Sequence, residues 1–545
     1  MKHKSLRHDD GINGDLEYVA LKGSERKELP AGSHRVGPAD PDHITTVTVQ
    51  VRSRAGPGEL DEAFTRMAQQ PVAQRKYLSH AQLTKRFGAS AKDLDAVENF
   101  AGEVGLNVVD RDPGNQTLVL SGRVDDFTKA FQVKLHEYRL AGDIYRGRTG
   151  FVWIPKQLES VIIAVSGLDN RPMRQKPRAH AAQDSRAAAN VGYTGEDLAQ
   201  RYRFPAASNG RPLDGKGQTV AIIELGGGYL PQDVEDYFRW HALPKPSVVA
   251  VSVDRRRNLP KSPIGEVIMD IEVAGAVAPG ARQVVYFGPP SPKGLFDTVS
   301  AAVMDSQRKP SVISISWGYP EDEITNQLLN EMSVLFKKAA LLGITICVAT
   351  GDNGSIDLSP NDPAYKNNRG KLHVDFPACL EASLACGGTG ITSKGEAAWN
   401  EGNGWAGGGG VSVRIERPAY QNKAGVPPSP ENEYGVKKGR GIPDVSGIAI
   451  DYRVRQHGKI RYAKGTSLVA PLWAGLIARL NQAKGKRVGF INPILYDHPE
   501  VCTDITRGHN DIRPRRRPRQ YQAGPNWDAA TGLGVPNGEA ILKVL

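Results

Sequence analysis

The sequence lacks long apolar segments and a recognisable targeting signal. No run approaches the roughly 18 apolar residues that a membrane-spanning helix needs. The first residues, from Met1 to Lys4, lead into polar sequence without the apolar core of a signal peptide. We therefore expect no transmembrane segment and no membrane partner.

Cysteine is scarce as well. The four cysteines, Cys347, Cys379, Cys386 and Cys502, show neither the Cys-x-x-Cys pattern nor the Cys/His spacing of a metal or redox site. Cys347 lies in an apolar stretch, which favours buried free thiols. A bridge between Cys379 and Cys386 stays open at this point.

The chain also lacks a strong excess of one charge sign. Lys and Arg number 70 against 59 Asp and Glu, a net charge of +11, and the basic residues are interspersed with acids. Without a basic stripe in an aromatic or helix-turn-helix context, we predict no nucleic-acid partner. The one dense basic run, residues 513–519, is predicted to be a solvated loop whose role stays open.

The 545 residues are enough for several domains, and the pattern of the first third is α+β. Residues 1–43 are polar and aperiodic, so we predict a leader without a fold. Over 44–170 strands and helices follow in the order βαββαβ, which is typical of a ferredoxin-like domain. The segments are strand 46–51, helix 91–103, strands 106–109 and 117–120, helix 125–131 and strand 133–138.

Residues 171–190 are basic and rich in Pro and Ala, which predicts an exposed, protease-accessible linker. Beyond it, Thr194 and Asp197 have the spacing of a capping box at a helix start. Short apolar strands then alternate with helical patterns across one large domain, residues 191–545. The strands are expected at 220–223, 284–287, 312–316 and 344–349. This alternation predicts a mostly parallel α/β sheet with functional residues at the carboxyl ends of its strands.

Three motifs in the large domain could carry chemistry. In the first, Gly465-Thr466-Ser467 opens an apolar helical run. A serine at a helix start feels the positive end of the helix dipole, which stabilises a developing alkoxide. Taken alone, such a serine is more often a helix cap.

The second motif is a pair of carboxylates, Glu266 and Asp270, in a mostly apolar helical run. Four residues make about one helical turn, so both side chains lie on one face. Carboxylates are usually solvated, but two carboxyls crowded by apolar residues share a proton, and one can act as a base at acidic pH.

The third motif places Asp352 between Gly351 and Gly354, directly after the predicted strand 344–349. An Asp between glycines is usually a turn former. A protonated carboxyl beside a nucleophilic serine could instead donate a hydrogen bond to an oxyanion.

Together these motifs resemble the sedolisin family of serine-carboxyl peptidases, especially its bacterial kumamolisin-like members. The resemblance extends over nearly the whole chain. It includes residues 221–228, 314–318, 407–412 and 441–445. It implies a subtilisin-like, mostly parallel sheet flanked by helices, preceded by a ferredoxin-like prodomain of the pro-kumamolisin activation type.

The resemblance also implies a role for each site residue. Ser467 would be the nucleophile, Glu266 its general base and Asp270 the residue that orients this base. Asp352 would complete the oxyanion hole, while Glu224 and Trp317 would extend the hydrogen-bond chain behind Asp270. A carboxylate base must be ionised while Asp352 stays protonated, so we expect an acidic optimum.

Near the C-terminus two Asp-containing turns supply hard oxygen atoms of the kind that calcium prefers, although ordinary turns have the same composition. The resemblance implies one Ca²⁺ ion. Its ligands would be the carboxylates of Asp504 and Asp528 and the backbone carbonyls of Ile505, Gly524 and Asn526. Asn526 departs from the glycine usual in relatives, but a carbonyl ligand tolerates the change.

The expected enzyme is a secreted, monomeric endopeptidase of proteins or peptides, made as a self-processing zymogen and lacking a conventional signal peptide. Its propeptide would inhibit it until acid, through protonation of interface carboxylates, triggers cleavage in the linker. One alternative is a subtilisin-type protease with a His base, which the absence of a His-Gly-Thr motif after the linker disfavours. The other is a catalytically silent peptidase-fold scaffold that binds a protein partner.

Overall fold

The computed structural model describes residues 17–26, 28–140, 142–172, 192–208, 210–262, 265–362, 364–365, 371–513 and 520–545. Most of the predicted linker and residues 514–519 of the basic run therefore lie outside the described residues. Within the described ranges, no helix is long and apolar enough to cross a membrane.

The N-terminal part contains a four-stranded antiparallel sheet covered by two helices. Counted along the chain, its strands lie side by side in the order 2-3-1-4, as in ferredoxin-like folds. In this spatial order the strands are Asn107–Asp112, Thr117–Arg123, Ile44–Val51 and Ile162–Ser166. Helices Ala91–Glu103 and Val124–Ala130 bury Phe100 and Phe127 against it. The ferredoxin-like prodomain fold is thus confirmed.

Two details of this region differ from our expectation. The strand predicted at 133–138 forms at His136–Leu140, but it belongs to a separate three-stranded sheet with His34–Pro38 and Asp143–Gly147. Strand Ile162–Ser166 takes its place beside Ile44–Val51. Alternation of apolar residues predicts a strand but not its partner, because pairing is decided by contacts distant in sequence.

The prediction of a leader without a fold is wrong for residues 17–43. Strand Tyr18–Ala20 pairs with Trp153–Pro155, and Leu21 and Ala39 are buried in the prodomain core. These residues acquire structure from strand partners more than 100 residues away, which leave no periodic signal in so polar a segment.

Two predicted solvent-exposed segments begin with buried arginines. Arg171, expected to start the exposed linker, forms a salt bridge with Asp169 (2.6 Å), and Arg513 pairs in the same way with Asp511 (2.7 Å). Both arginines are buried. In each case a carboxylate two residues earlier compensates the guanidinium charge, and this neighbour makes burial possible.

A second large unit follows, built on an eight-stranded sheet. Neighbouring strands are parallel except for the antiparallel hairpin at one edge. In spatial order the strands are Ser247–Ser252, Arg282–Phe287, Thr219–Glu224, Val312–Ile315, Thr345–Ala349, Leu384–Thr392 and Gly395–Ala398, with Val445–Ile448 also beside Leu384–Thr392. The predicted mostly parallel sheet is confirmed.

Helices cover both faces of this sheet, because successive strand side chains point to opposite sides. Val220 and Ile222 face helices Glu266–Val277 and Val469–Lys484, whereas Ala221 and Ile223 face the opposite layer. That layer consists of Pro292–Val303 and Asn326–Leu341. Further helices among the described residues are Gly195–Arg201, Pro231–Trp240, Asn492–Asp497 and Gly538–Val544.

Short antiparallel pairs extend the large unit outside the main sheet. The longer ones are Gly410–Glu416 with Gly439–Ile442 and Tyr452–Gln456 with Lys459–Ala463. Three two-residue pairs are Ala207–Ser208 with Arg211–Pro212, Tyr319–Pro320 with Asp375–Phe376, and Cys502–Thr503 with Val535–Pro536. All four cysteines are free and buried, so no bridge joins Cys379 to Cys386.

Candidate active site

Polar side chains gather at the carboxyl ends of three adjacent parallel strands. Glu224 ends strand Thr219–Glu224, Ser316 and Trp317 follow the next strand, and Asp352 follows the one after that. This edge is where open α/β sheets place ligands and catalytic groups.

The helix Glu266–Val277 adds two carboxylates to this edge. Glu266 is its first residue and is partly exposed, whereas Asp270, one turn later, is fully buried. Apolar residues surround Asp270 along the helix, and both faces of the helix are covered by protein. Asp270 is therefore not a solvated surface carboxylate, which was the other interpretation of this pair.

Burial and mutual repulsion set the protonation of these carboxyls. Burial, and then the charge of Glu266, raise the pKa of Asp270 well above its ordinary value. Burial, followed by the charges of Asp270 and Glu266, does the same to the pKa of Glu224. The three groups thus interact electrostatically, and Asp270 and Glu224 hold protons at pH values where exposed carboxyls have lost them.

Hydrogen bonds connect this cluster to the strand ends. Trp317 Nε1 donates to Glu224 Oε2 (3.1 Å), and Ser316 Oγ donates to Asp270 Oδ2 (2.9 Å). Ser316 Oγ also lies 3.3 Å from the carbonyl oxygen of Ser467. Sequence reasoning quoted Ser316 as part of a motif but assigned it no place in the site, because only the folded chain shows what it bridges.

Ser467 lies in a tight turn, Thr466–Leu468, which leads into helix Val469–Lys484. The turn contacts the helix that carries Glu266 and Asp270, and Ser467 is 5% exposed. The turn depends on Gly465, whose φ is 136°. A Cβ atom there would lie 2.8 Å from Asp352 Oδ2, so a larger residue would displace that carboxyl.

Asp352 is fixed to the same turn through Thr466. Both the backbone N–H and the hydroxyl of Thr466 donate to Asp352 Oδ1, at 2.8 and 2.9 Å. The Thr466 hydroxyl in turn accepts from the backbone N–H of Gly351 (3.1 Å). The structure therefore brings together all six predicted site residues, and adds Ser316 and Thr466 as the links between them.

The prodomain faces the large unit across a cavity that reaches close to this region in sequence. A cavity of about 490 Å³ lies between prodomain residues 25–26, 28–31 and 171–172 on one wall and residues 322–326 and Tyr319 on the other. Tyr319, two residues after Trp317, lines this cavity. The prodomain thus faces the large unit beside the cluster of site residues.

The five predicted calcium ligands also come together. Asn526 N–H donates to Asp504 Oδ2 (2.8 Å), and Gly524 N–H donates to Asp528 Oδ2 (3.1 Å). Thr531 Oγ1 lies 3.4 Å from the carbonyl oxygen of Ile505 and also contacts Asp528. Burial raises the pKa of Asp528 to about 6. Within the described ranges no group of three His, Cys, Asp or Glu side chains forms a metal centre.

These contacts fit the donor set that the resemblance implies. Backbone hydrogen bonds tie Asp504 to Asn526 and Asp528 to Gly524, and Asn526 has the left-handed backbone (φ 67°) for which glycine is usual. Hard oxygen donors from flexible loops suit calcium.

Comparison with known proteins places both parts of the chain. Residues 31–171 match the "Pro-kumamolisin, activation domain" family, and residues 231–493 match the "Subtilase family". Kumamolisin from Bacillus sp. (strain MN-32) is 41% identical, over 96% of this chain and 96% of its own length. Sedolisin from Pseudomonas sp. (strain 101) is 26% identical, over 90% of this chain and 85% of its own.

Solved structures agree with this placement. A Pseudomonas sedolisin, described as a serine-carboxyl proteinase, superposes on 65% of this chain and 97% of its own with a TM-score of 0.54 and 26% identity. The two family matches cover successive parts of the sequence, and the similarity to kumamolisin extends over both of them. The chain therefore belongs to the kumamolisin-like sedolisins, serine-carboxyl peptidases that carry an N-terminal activation domain.

Proposed function

We propose that this peptidase is an acid-active endopeptidase in which Ser467 attacks the substrate carbonyl carbon and Glu266 takes the proton from its hydroxyl. The observation that carries the proposal is the position of the Ser467 turn between two carboxyl groups. Ser316 links the turn to Asp270, and Thr466 links it to Asp352. This is the nucleophile, base and orienting-group arrangement of serine peptidases with Glu in place of His.

The acidic optimum follows from the charges of the cluster. Glu266, the partly exposed member, must be ionised to act as a base, while Asp270 and Glu224 keep their protons because their pKa values are raised. A protonated Asp270 beside ionised Glu266 can donate to it and hold its orientation. As the pH rises, Asp270 and Glu224 ionise as well, and the three negative charges of the cluster repel one another.

Asp352 would stabilise the tetrahedral intermediate. Its Oδ1 accepts two hydrogen bonds from Thr466, so we assign the proton to Oδ2, which faces the Gly465 turn. A neutral carboxyl in this position donates a hydrogen bond to the oxyanion that forms on the substrate carbonyl oxygen. Its deprotonation at higher pH would remove this donor, in agreement with an acidic optimum.

The activation domain would keep the enzyme inactive until it is cut off within residues 171–190. Support comes from its position beside the site residues across the shared cavity. The substrates would be proteins or peptides, and we propose that the enzyme acts outside the cell as a monomer.

One calcium ion would bind to Asp504, Ile505, Gly524, Asn526 and Asp528. The ion supplies a structural cross-link between loops rather than chemistry at the serine. One backbone donor already joins the two loops, from Asn526 N–H to Asp504, whereas Gly524 N–H to Asp528 lies within the second loop.

Self-processing tests the proposal directly. Three proteins would be incubated with calcium at about pH 4 and pH 7: the full-length protein, the Ser467→Ala variant and a Ser333→Ala control. The Ser333 hydroxyl donates to Leu329 O within helix Asn326–Leu341. Intact mass would be recorded over time. We expect wild type and Ser333→Ala to lose the prodomain at about pH 4, with new termini inside residues 171–190, and Ser467→Ala to stay intact. Equal processing of Ser467→Ala and wild type would refute the proposal.

A further inference from the structure

The prodomain touches the peptidase unit at a second place, far from the serine. Between strand Ile44–Val51 and helix Ala91–Glu103 it extends an arm formed by helix Glu59–Ala68, a turn at Val72–Gln74 and helix His80–Phe87. Phe64 in the arm packs against Phe490 with ring centroids 5.1 Å apart. Val72 is buried in the same apolar cluster as Leu480 and Val488 of the peptidase unit.

Arg75 is the polar centre of this contact. It is 6% exposed, and its Nη1 donates to the backbone carbonyls of Val488 (3.2 Å) and Phe490 (2.6 Å). Its Nε donates to the carbonyl of Gln70 within the arm (2.9 Å). Water replaces these carbonyls on undocking, but charge-assisted hydrogen bonds contribute more to docking than neutral ones, and a docked arginine without its carbonyl partners would be costly.

Tyr77 occupies a pocket made by two glycines. Its hydroxyl donates to Val488 O (2.8 Å), and its ring lies over Gly343 and Gly489. A Cβ atom on Gly343 would lie 2.6 Å from the ring, and one on Gly489 would lie 2.4 Å from the hydroxyl oxygen. Both glycines have positive φ, 75° and 64°. The pocket therefore fits a flat aromatic side chain with a terminal donor.

This surface lies at the opposite end of the sheet from Ser467. Thr345 starts its strand beside Gly489, with Oγ1 2.7 Å from Gly489 O, whereas Asp352 follows the other end of that strand. Helix Val469–Lys484 starts next to Ser467 and ends before Val488, and its 16 residues span about 24 Å. The arm thus contacts a part of the peptidase that substrate in the active site does not reach.

We propose that the surface formed by Gly343 and residues 488–490 is a retention site for Arg75 and Tyr77, which keeps the prodomain bound after the linker has been cut. Cleavage and activation are then separate steps, and the second is dissociation of the arm from this site. The inference rests on the proposed function only in assuming that the free peptidase is the active form.

The test uses a cut that does not depend on the enzyme's own activity. A recognition sequence for a sequence-specific protease would replace part of residues 173–191 in full-length Ser467→Ala protein. After external cleavage at neutral pH, size-exclusion chromatography with intact mass measures whether the two fragments stay together, and dilution measures their dissociation rate. Because Ser467 is absent, failure of this proposal is distinguishable from failure of the catalytic one.

The expected dissociation rates distinguish Arg75 and Tyr77 from the exposed residue between them. Arg75→Ala and Tyr77→Ala should accelerate dissociation at least tenfold, the scale of a lost charge-assisted bond or of a buried aromatic anchor. Lys76→Ala, an exposed residue between them, should leave the rate unchanged. If the alanine variants do not fold, Tyr77→Phe and Arg75→Lys, which keep most of each side chain, should show a smaller acceleration. Rates equal to the parent in the folded variants would overturn the proposal.

Discussion

Glu331 gives the sharpest test of how burial sets the pH dependence of this protein. It lies on helix Asn326–Leu341, is 4% exposed, and is covered by the prodomain strand that carries Ser166. Burial raises its pKa from 4.5 to about 8. The substitution Glu331→Gln keeps the size of the side chain and removes its ability to ionise.

The direction in which pH changes the free energy of unfolding follows from the raised pKa of Glu331. Below about pH 4.5 the carboxyl is protonated in both folded and unfolded chains, so its full contribution to stability is present. At pH 7 the unfolded chain loses the proton and the folded chain keeps it. That difference costs the folded state about 3 kcal/mol, at about 1.4 kcal/mol per pKa unit. Glu331→Gln should therefore raise the free energy of unfolding by about 3 kcal/mol more at pH 7 than at pH 4.

Urea unfolding of the Ser467→Ala parent, followed by tryptophan fluorescence, measures this difference without self-digestion. Glu62→Gln, which alters an exposed carboxylate on helix Glu59–Ala68, is the control and should shift stability equally at both pH values. Comparing each variant with its parent at one pH cancels the titration of all other groups. If Glu331→Gln changes stability by the same amount at pH 4 and pH 7, burial does not keep this carboxyl protonated and the reasoning fails.

Three further predictions concern the catalytic group, the metal and the activation trigger. Asp352→Ala should lower kcat by about 10²- to 10³-fold with little change in KM, as expected for loss of one oxyanion donor; an unchanged kcat would exclude that role. Chelation of calcium should lower the melting temperature of the parent and leave that of Asp528→Asn unchanged; equal shifts in both would place the ion elsewhere. His80 Nε2 donates to Val303 O (3.0 Å), and burial, with the charges of Arg487 and Lys309, lowers the pKa of His80 despite this hydrogen bond and the charge of Asp305. Protonation below about pH 6.5 should thus weaken docking, and His80→Gln should slow acid-induced release of the prodomain in the same dilution assay.

The last prediction adds a second candidate for the acid trigger. We expected protonation of carboxylates at the prodomain interface to release it. Glu331 and Asp297 at that interface have pKa values raised to about 8 and about 7, with burial as the largest cause. Carboxyls that are already protonated in the docked complex make that complex more stable in acid, so they oppose release of the prodomain. The partly buried His80 has the opposite sign, because acid must charge it inside the interface.

Much of the fold follows from local sequence. Helix Ala91–Glu103 matches the predicted helix, and Thr194 and Asp197 form the predicted capping box. The four central strands form within a few residues of their predicted positions because continuous runs of β-branched residues are typical of buried parallel strands. The motifs around Ser467, Glu266 and Asp352 were likewise visible, since residue type and spacing are properties of the chain itself.

Tertiary packing, and not local sequence, determines which of these segments meet. The partner of His136–Leu140, the order in residues 17–43 and the bridging by Ser316 and Thr466 depend on contacts between residues distant in sequence. The protonation of Asp270 and Glu224 also belongs here, because desolvation arises when several elements close around a carboxyl. Local sequence encodes conformation and chemistry, whereas packing determines proximity and dielectric, and the proposed activity depends on both.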